Sequence, residues 1–177
     1  MKIDITKFAE TPCKPGLEWL DGLGTLEAEE VIKLGLEQNR HYDLKWGLAN
    51  LMTKAQRVEW AILSAESVLY IFESKYHDKR LPRVAIDRAK YYLANPSDDA
   101  KHTAEFAARA VLFDAYNLRP RTAVRAVARS AGYAARSAAY DDTDDCEYAA
   151  RLAAFADPYR ADDIILKGYE ILTGETL

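Results

Sequence analysis

Apolar positions recur at helical spacing through most of the chain. Val58, Ala61, Ile62, Ala65, Val68, Leu69 and Phe72 form one stripe at the spacing of an amphipathic helix. Trp60, Leu63 and Tyr70 form a second stripe on another side. A helix apolar on two faces is expected at the centre of a core. It opens at Thr53-Lys54-Ala55-Gln56, a capping box in which the threonine hydroxyl and the glutamine side chain each satisfy an orphan backbone N–H. Upstream, short helices are predicted over Pro15–Asp21 and Thr25–Gln38, with Thr25 as N-cap, and over a segment ending near Met52. Downstream, Pro82 starts a helix that runs to about Asn95. Ser97 caps the next, with Asp98 and Asp99 in its first turn and Ala100, Ala104, Ala107, Ala108, Val111, Leu112 and Ala115 as its stripe. Pro120 is expected to open a helix to about Tyr140, the acidic stretch after it to separate one ending near Asp157, and Pro158 to start the last. That last helix carries Ile164, Ile165, Tyr169 and Leu172 as its apolar content.

No segment alternates with period two between hairpin turns. The pattern predicts an all-α protein: a single compact bundle of eight or nine helices over residues 1–177, alanine-rich in its C-terminal half, with residues 1–40 as a looser N-terminal part.

A unit returns three times in that half. Phe106–Asp114 reads FAARAVLFD, Tyr133–Asp141 reads YAARSAAYD, and Tyr148–Asp157 reads YAARLAAFAD. Each pairs an aromatic with a second one seven residues later, and Arg109, Arg136 and Arg151 stand three residues after the first. Intervals of 27 and then 15 residues match no solenoid period. Alanine is the best helix former and lets helices approach closely. The unit is therefore expected to be a packing device, with its aromatics stacking on one face and filling what space remains and its arginines lying along a ring or pairing with an acid on a neighbouring helix; a cofactor or ligand box at the same spacing is the alternative.

Length and composition fit this picture. The chain has 177 residues, 49% of them apolar, enough to bury a core without cross-links. Cys13 and Cys146 match no metal or redox spacing. The opening residues lack the apolar stretch of a secretion signal, and no apolar run reaches bilayer length, so a cytoplasmic location is expected. A net charge of −4 argues against a protein built chiefly to coat nucleic acid.

The search for chemistry returns little. His41, His77 and His102 form no ligand pair of the HExxH kind, and neither a metal nor a cofactor is expected. No Gly-x-Ser-x-Gly elbow, papain-like cysteine context or phosphate-cradling glycine loop is present, so no enzymatic activity is expected. The run Asp141–Glu147 departs from the EF-hand pattern at Cys146 and Leu152. Thr143 or Asp144 can cap a helix there. Asp141, Asp142, Asp144, Asp145 and Glu147 together also make a dense anionic patch, able to meet a basic partner surface. Just upstream, Arg119, Arg121, Arg125, Arg129 and Arg136 fall in a stretch without an acid, and the last four line one helix edge. That edge suits either phosphate binding or internal pairing with acids such as Glu105, Asp114, Asp162 and Asp163.

From Tyr42 to Leu93, the stretches YDLKWGLANLMTKAQRVEWAILSAESVLYIF and KRLPRVAIDRAKYYL resemble the helical immunity-protein family of bacterial polymorphic-toxin systems, which has similar genes in phage genomes. The most telling part is Arg80-Leu81-Pro82-Arg83 with Ala85, Ile86 and Ala89, followed by alanine-rich helices. The resemblance implies an all-α, non-enzymatic inhibitor that binds and blocks a toxin or defence effector. The acidic run, rather than the resemblance, points to Asp141, Asp142, Asp144, Asp145 and Glu147 as the partner contact, with a nuclease as a partner for which carboxylates would stand in for phosphates. The alternative is a nucleic-acid-binding module using Arg121, Arg125, Arg129 and Arg136.

Overall fold

A computed structural model of the chain describes residues 1–3, 14–23, 27–120, 122–140 and 142–177. Cys13, Thr25, Arg121 and Asp141 lie outside the described residues. Among those described, nine α-helices follow one another: α1 Lys14–Gly22, α2 Ala28–Glu37, α3 His41–Leu51, α4 Lys54–Glu73, α5 Leu81–Ala94, α6 Asp98–Tyr116, α7 Ala123–Ala139, α8 Thr143–Ala156 and α9 Ala161–Thr173. One isolated bridge joins Lys2 to Glu27. The protein is an all-α bundle. No described helix is long and apolar enough to cross a membrane.

Several helix starts follow directly from local chemistry. Thr53 and Gln56 form the reciprocal capping box, with the Thr53 N–H donating to Gln56 Oε1 at 2.9 Å. The Ser97 hydroxyl accepts from the Ala100 N–H at 3.2 Å. Three boundaries differ from expectation. Pro120 precedes α7 rather than opening it, and Thr122 is the cap, accepting from the Arg125 N–H. Asp142, not Thr143 or Asp144, caps α8. Pro158 begins a single 3-10 turn, Pro158–Arg160, ahead of α9. Thr122 and Asp142 set the starts of α7 and α8 by accepting orphan amides, and Asp157 caps the 3-10 turn that Pro158 begins.

The bundle is built around α4 and α7. Helix α7 packs against α4, α5, α6 and α8. Eleven of its 17 residues are buried, which a helix can accept only when neighbours surround it. Nearly all of them are Ala, Ser or Gly. At Gly132 the approach of α6 is closest: a Cβ there would stand 2.7 Å from the Leu112 side chain. On α4 the predicted stripe from Val58 to Phe72 is wholly buried. The second stripe divides. Trp60 is fully buried, whereas Leu63 and Tyr70 face outward, and the Tyr70 hydroxyl donates to Asp157. Trp60 reaches α9, where its Nε1 donates to the Ile164 carbonyl at 2.8 Å.

The repeated unit departs from expectation at most of its aromatics. Most of its alanines are inside, Phe106, Phe113, Tyr140, Tyr148 and Phe155 are exposed, and Tyr133 is half-buried against the core. Phe106 is 73% exposed, Phe113 75% and Phe155 56%. The cause is angular. On α6 the buried stripe is Ala104, Ala108, Val111 and Ala115. Phe106 and Phe113 each lie two positions from stripe members, about 200° around a helix turning roughly 100° per residue. On α8, Tyr148 and Phe155 stand in the same relation to Cys146, Ala150 and Ala153.

Candidate functional site

The acidic run is divided by the face of α8 on which each residue falls. Asp142 and Asp144 are exposed. Asp145 is only 2% exposed and Glu147 6%, so the expectation that all these carboxylates face a partner is corrected. Asp145 lies on the inner stripe beside Cys146 and Ala149. Its Oδ2 is 3.4 Å from Arg136 Nε on α7. Glu147 Oε1 is 3.4 Å from Arg151 Nε one turn on. Burial pushes the Asp145 carboxyl up to about 6, against the pull of Arg136 and with help from Asp142 and Asp144. Burial also raises Glu147, opposed by Arg151 and Lys45. Lys45, on α3, is itself buried, and that burial lowers its ammonium below the usual lysine range. Cys146 is a poor nucleophile: burial pushes its thiol up to about 12.

A pH dependence follows. The Asp145 carboxyl titrates near 6 when folded and near 3.9 when unfolded, so between those values the folded state holds more protons. Stability from this group is complete below about pH 4 and is lost as pH rises through 6. Denaturant unfolding of the native protein and of Asp145→Asn, at pH 5 and pH 7, is expected to show the native protein gaining about 1 kcal/mol relative to the variant at the lower pH. A gap independent of pH would show that Asp145 titrates normally.

Of the described arginines on this edge only Arg136 meets a carboxylate, that of Asp145, which is not among the acids anticipated. Glu105 holds Arg109 and accepts from the Tyr140 hydroxyl, Asp114 meets Lys79, Asp162 meets His41, and Asp163 meets Arg160. The edge instead lies against tyrosine rings. Arg125 is 5.8 Å from the Tyr116 ring and Arg129 5.7 Å from Tyr133. Arg136 is 5.5 Å from Tyr133 and 5.9 Å from Tyr140. Arg121 lies outside the described residues.

Helices α7 and α8 run antiparallel, bringing Arg136 to Asp145 and Tyr133 to Tyr148. Those two rings stack with centroids 5.3 Å apart. Arg151 then sits 5.4 Å from Tyr148 and 5.0 Å from Tyr42 on α3. One line of alternating rings and guanidiniums therefore crosses from the C-terminal end of α7, over α8, to α3. The buried carboxylates beneath hold Arg136 and Arg151 in place. Phe106 and Phe113 are exposed on α6, which the Tyr140–Glu105 bond ties to the end of α7, and Phe155 is exposed near the end of α8. Tyr42, Lys45, Tyr133 and Tyr148 are the members that sequence reasoning missed. No group of three or more His, Cys, Asp or Glu side chains among the described residues could hold a metal.

Aromatic and arginine side chains on rigid helices are the chemistry of a binding face, since they offer large contact area and charged hydrogen bonds at small entropic cost. Compared with family models, with curated proteins and with solved structures, the chain matches none.

Proposed function

We propose that the chain is a non-catalytic inhibitor that binds a protein partner and blocks it, as an immunity protein blocks a toxin or a phage protein blocks a defence effector. The observation that carries this reading is the outward placement of Phe106, Phe113 and Phe155 on helices whose inner faces are already filled by alanines. Exposing such rings wastes hydrophobic stabilisation unless something covers them in use. The contact is therefore assigned to the aromatic and arginine face. Asp142 and Asp144 are left at its edge, where exposed charge speeds capture more than it adds affinity.

The test is co-expression with the product of each neighbouring gene. One of them is expected to arrest growth alone, to be neutralised by this chain and to co-purify with it in fixed ratio. Phe106→Ala with Phe113→Ala and Phe155→Ala is expected to weaken that complex at least tenfold while leaving the unfolding midpoint nearly unchanged. Full protection by this variant would remove the face from the account.

A second reading has one observation in its favour. Arginines alternating with tyrosines, as at Arg129, Tyr133, Arg136 and Tyr140, can contact phosphates while bases stack on the rings. The net charge of −4 and the carboxylate under Arg136 weigh against it. Oligonucleotide binding that falls steeply with salt, and that Arg125→Glu with Arg129→Glu removes, would favour this reading.

A further inference from the structure

A groove of ≈ 300 Å³ lies where the start of α7 meets the end of α8. Its walls differ in chemistry. Arg125 and Arg129 come from α7 and Leu152 and Phe155 from α8, with Pro120, Thr122 and Ala126 completing the lining. The two arginines are one helical turn apart and so present their guanidiniums to the same space.

These guanidiniums are unlike most others in clefts of this protein. The larger cleft between α4 and α9, ≈ 540 Å³, carries charges that neutralise one another: Arg160 pairs with Asp163 and Lys167 with Glu170. A third cleft holds Arg83, which grips Glu73 through two hydrogen bonds. In the α7–α8 groove, neither arginine meets a carboxylate among the described residues. Arg125 touches only the Tyr116 ring in this way, and its Nε is buried with no acceptor. Arg129 lies against the Tyr133 ring and makes one long hydrogen bond, 3.4 Å, to its hydroxyl. A buried N–H without an acceptor carries a penalty that a bound oxyanion would remove.

We infer that this groove is a small-molecule site for a phosphorylated compound bearing a planar ring, with nucleoside phosphates as the fitting class. The phosphate oxygens accept from Arg125 and Arg129, whose planar forks suit bidentate contact. The ring lies on the exposed face of Phe155, above Leu152. The volume is sufficient for a mononucleotide and too small for a folded partner segment. The site does not depend on the protein-binding role, although Arg125, Arg129 and Phe155 also belong to the aromatic and arginine face.

Calorimetric titration of the purified chain with ADP, pyrophosphate and adenosine tests the inference. ADP is expected to bind saturably, with pyrophosphate and adenosine each at least tenfold weaker. Arg125→Gln and Arg129→Gln are each expected to weaken ADP at least tenfold. Phe155→Ala is expected to weaken ADP but leave pyrophosphate unchanged. Arg88→Gln, an exposed arginine on α5, should change nothing. Because the Arg125 variant could disturb α7, amide shifts of the native protein supply a variant-free readout. On adding ADP they are expected to move at residues 122–129 and 152–155. No saturable ADP binding, equal affinity for pyrophosphate, or shifts centred elsewhere would overturn the assignment.

Discussion

Trp60→Ala is expected to lower the stability of the fold by about 3–5 kcal/mol. The indole is fully buried and joins two helices that are distant in sequence. Its Nε1 donates to the Ile164 carbonyl, and Gly168 one turn later leaves room for the ring. The fit is close: a Cβ at position 168 would come within 2.9 Å of the indole Cε2. Surroundings this tight do not collapse readily into the vacated volume, so the cavity penalty adds to the lost burial. For a domain of this size the expected drop in melting temperature is on the order of 10 °C. Trp60→Phe keeps most of the volume and loses the N–H, and should give a clearly smaller loss. Thermal unfolding of the two variants separates packing from hydrogen bonding.

Ala135→Leu is the second large effect, and it acts by the opposite route. Ala135 has no exposed surface and lies on α7, which four other helices surround. Ala131, Ala134 and Ala138 around it are equally enclosed. Leucine is nearly as good a helix former as alanine, so propensity does not enter. The added methyl groups must displace a neighbouring helix or take a strained rotamer, at about 1–3 kcal/mol. In most cores, adding hydrophobic volume at a hydrophobic position is mild. Here alanine is a distance setter, and enlarging it should be destabilising in spite of the extra apolar area.

The features legible in the sequence were those decided within a few residues. The Thr53–Gln56 capping box and the Ser97 cap need only local spacing, and both stand as read. The α4 stripe was legible because Val, Ile, Leu and Phe outweigh everything else on that helix. The aromatics of the repeated unit were misplaced because ring size suggested the core, whereas the alanines set the inward face. The signal was present in the two-residue offset between Phe106 and Ala104 or Ala108. The acidic run misled for a different reason. Asp145 lies inside because it falls on the alanine stripe of α8, and the partner that meets it there, Arg136, is on another helix, of which neighbouring letters carry no trace. The tyrosine line was hidden likewise, since Tyr133 and Tyr148 meet only once α7 and α8 fold back on each other.

The central claim is that small residues set the helix spacing in this bundle while the phenylalanines of its repeated unit stay outside it. Urea unfolding of Ala135→Leu beside the double variant Phe106→Ser with Phe113→Ser tests it most directly. The account predicts a loss of about 1–3 kcal/mol for the single added leucine and a change within about 0.5 kcal/mol for the removal of both phenylalanines. A double phenylalanine variant that unfolds the protein, beside an Ala135→Leu protein as stable as the native one, would contradict it.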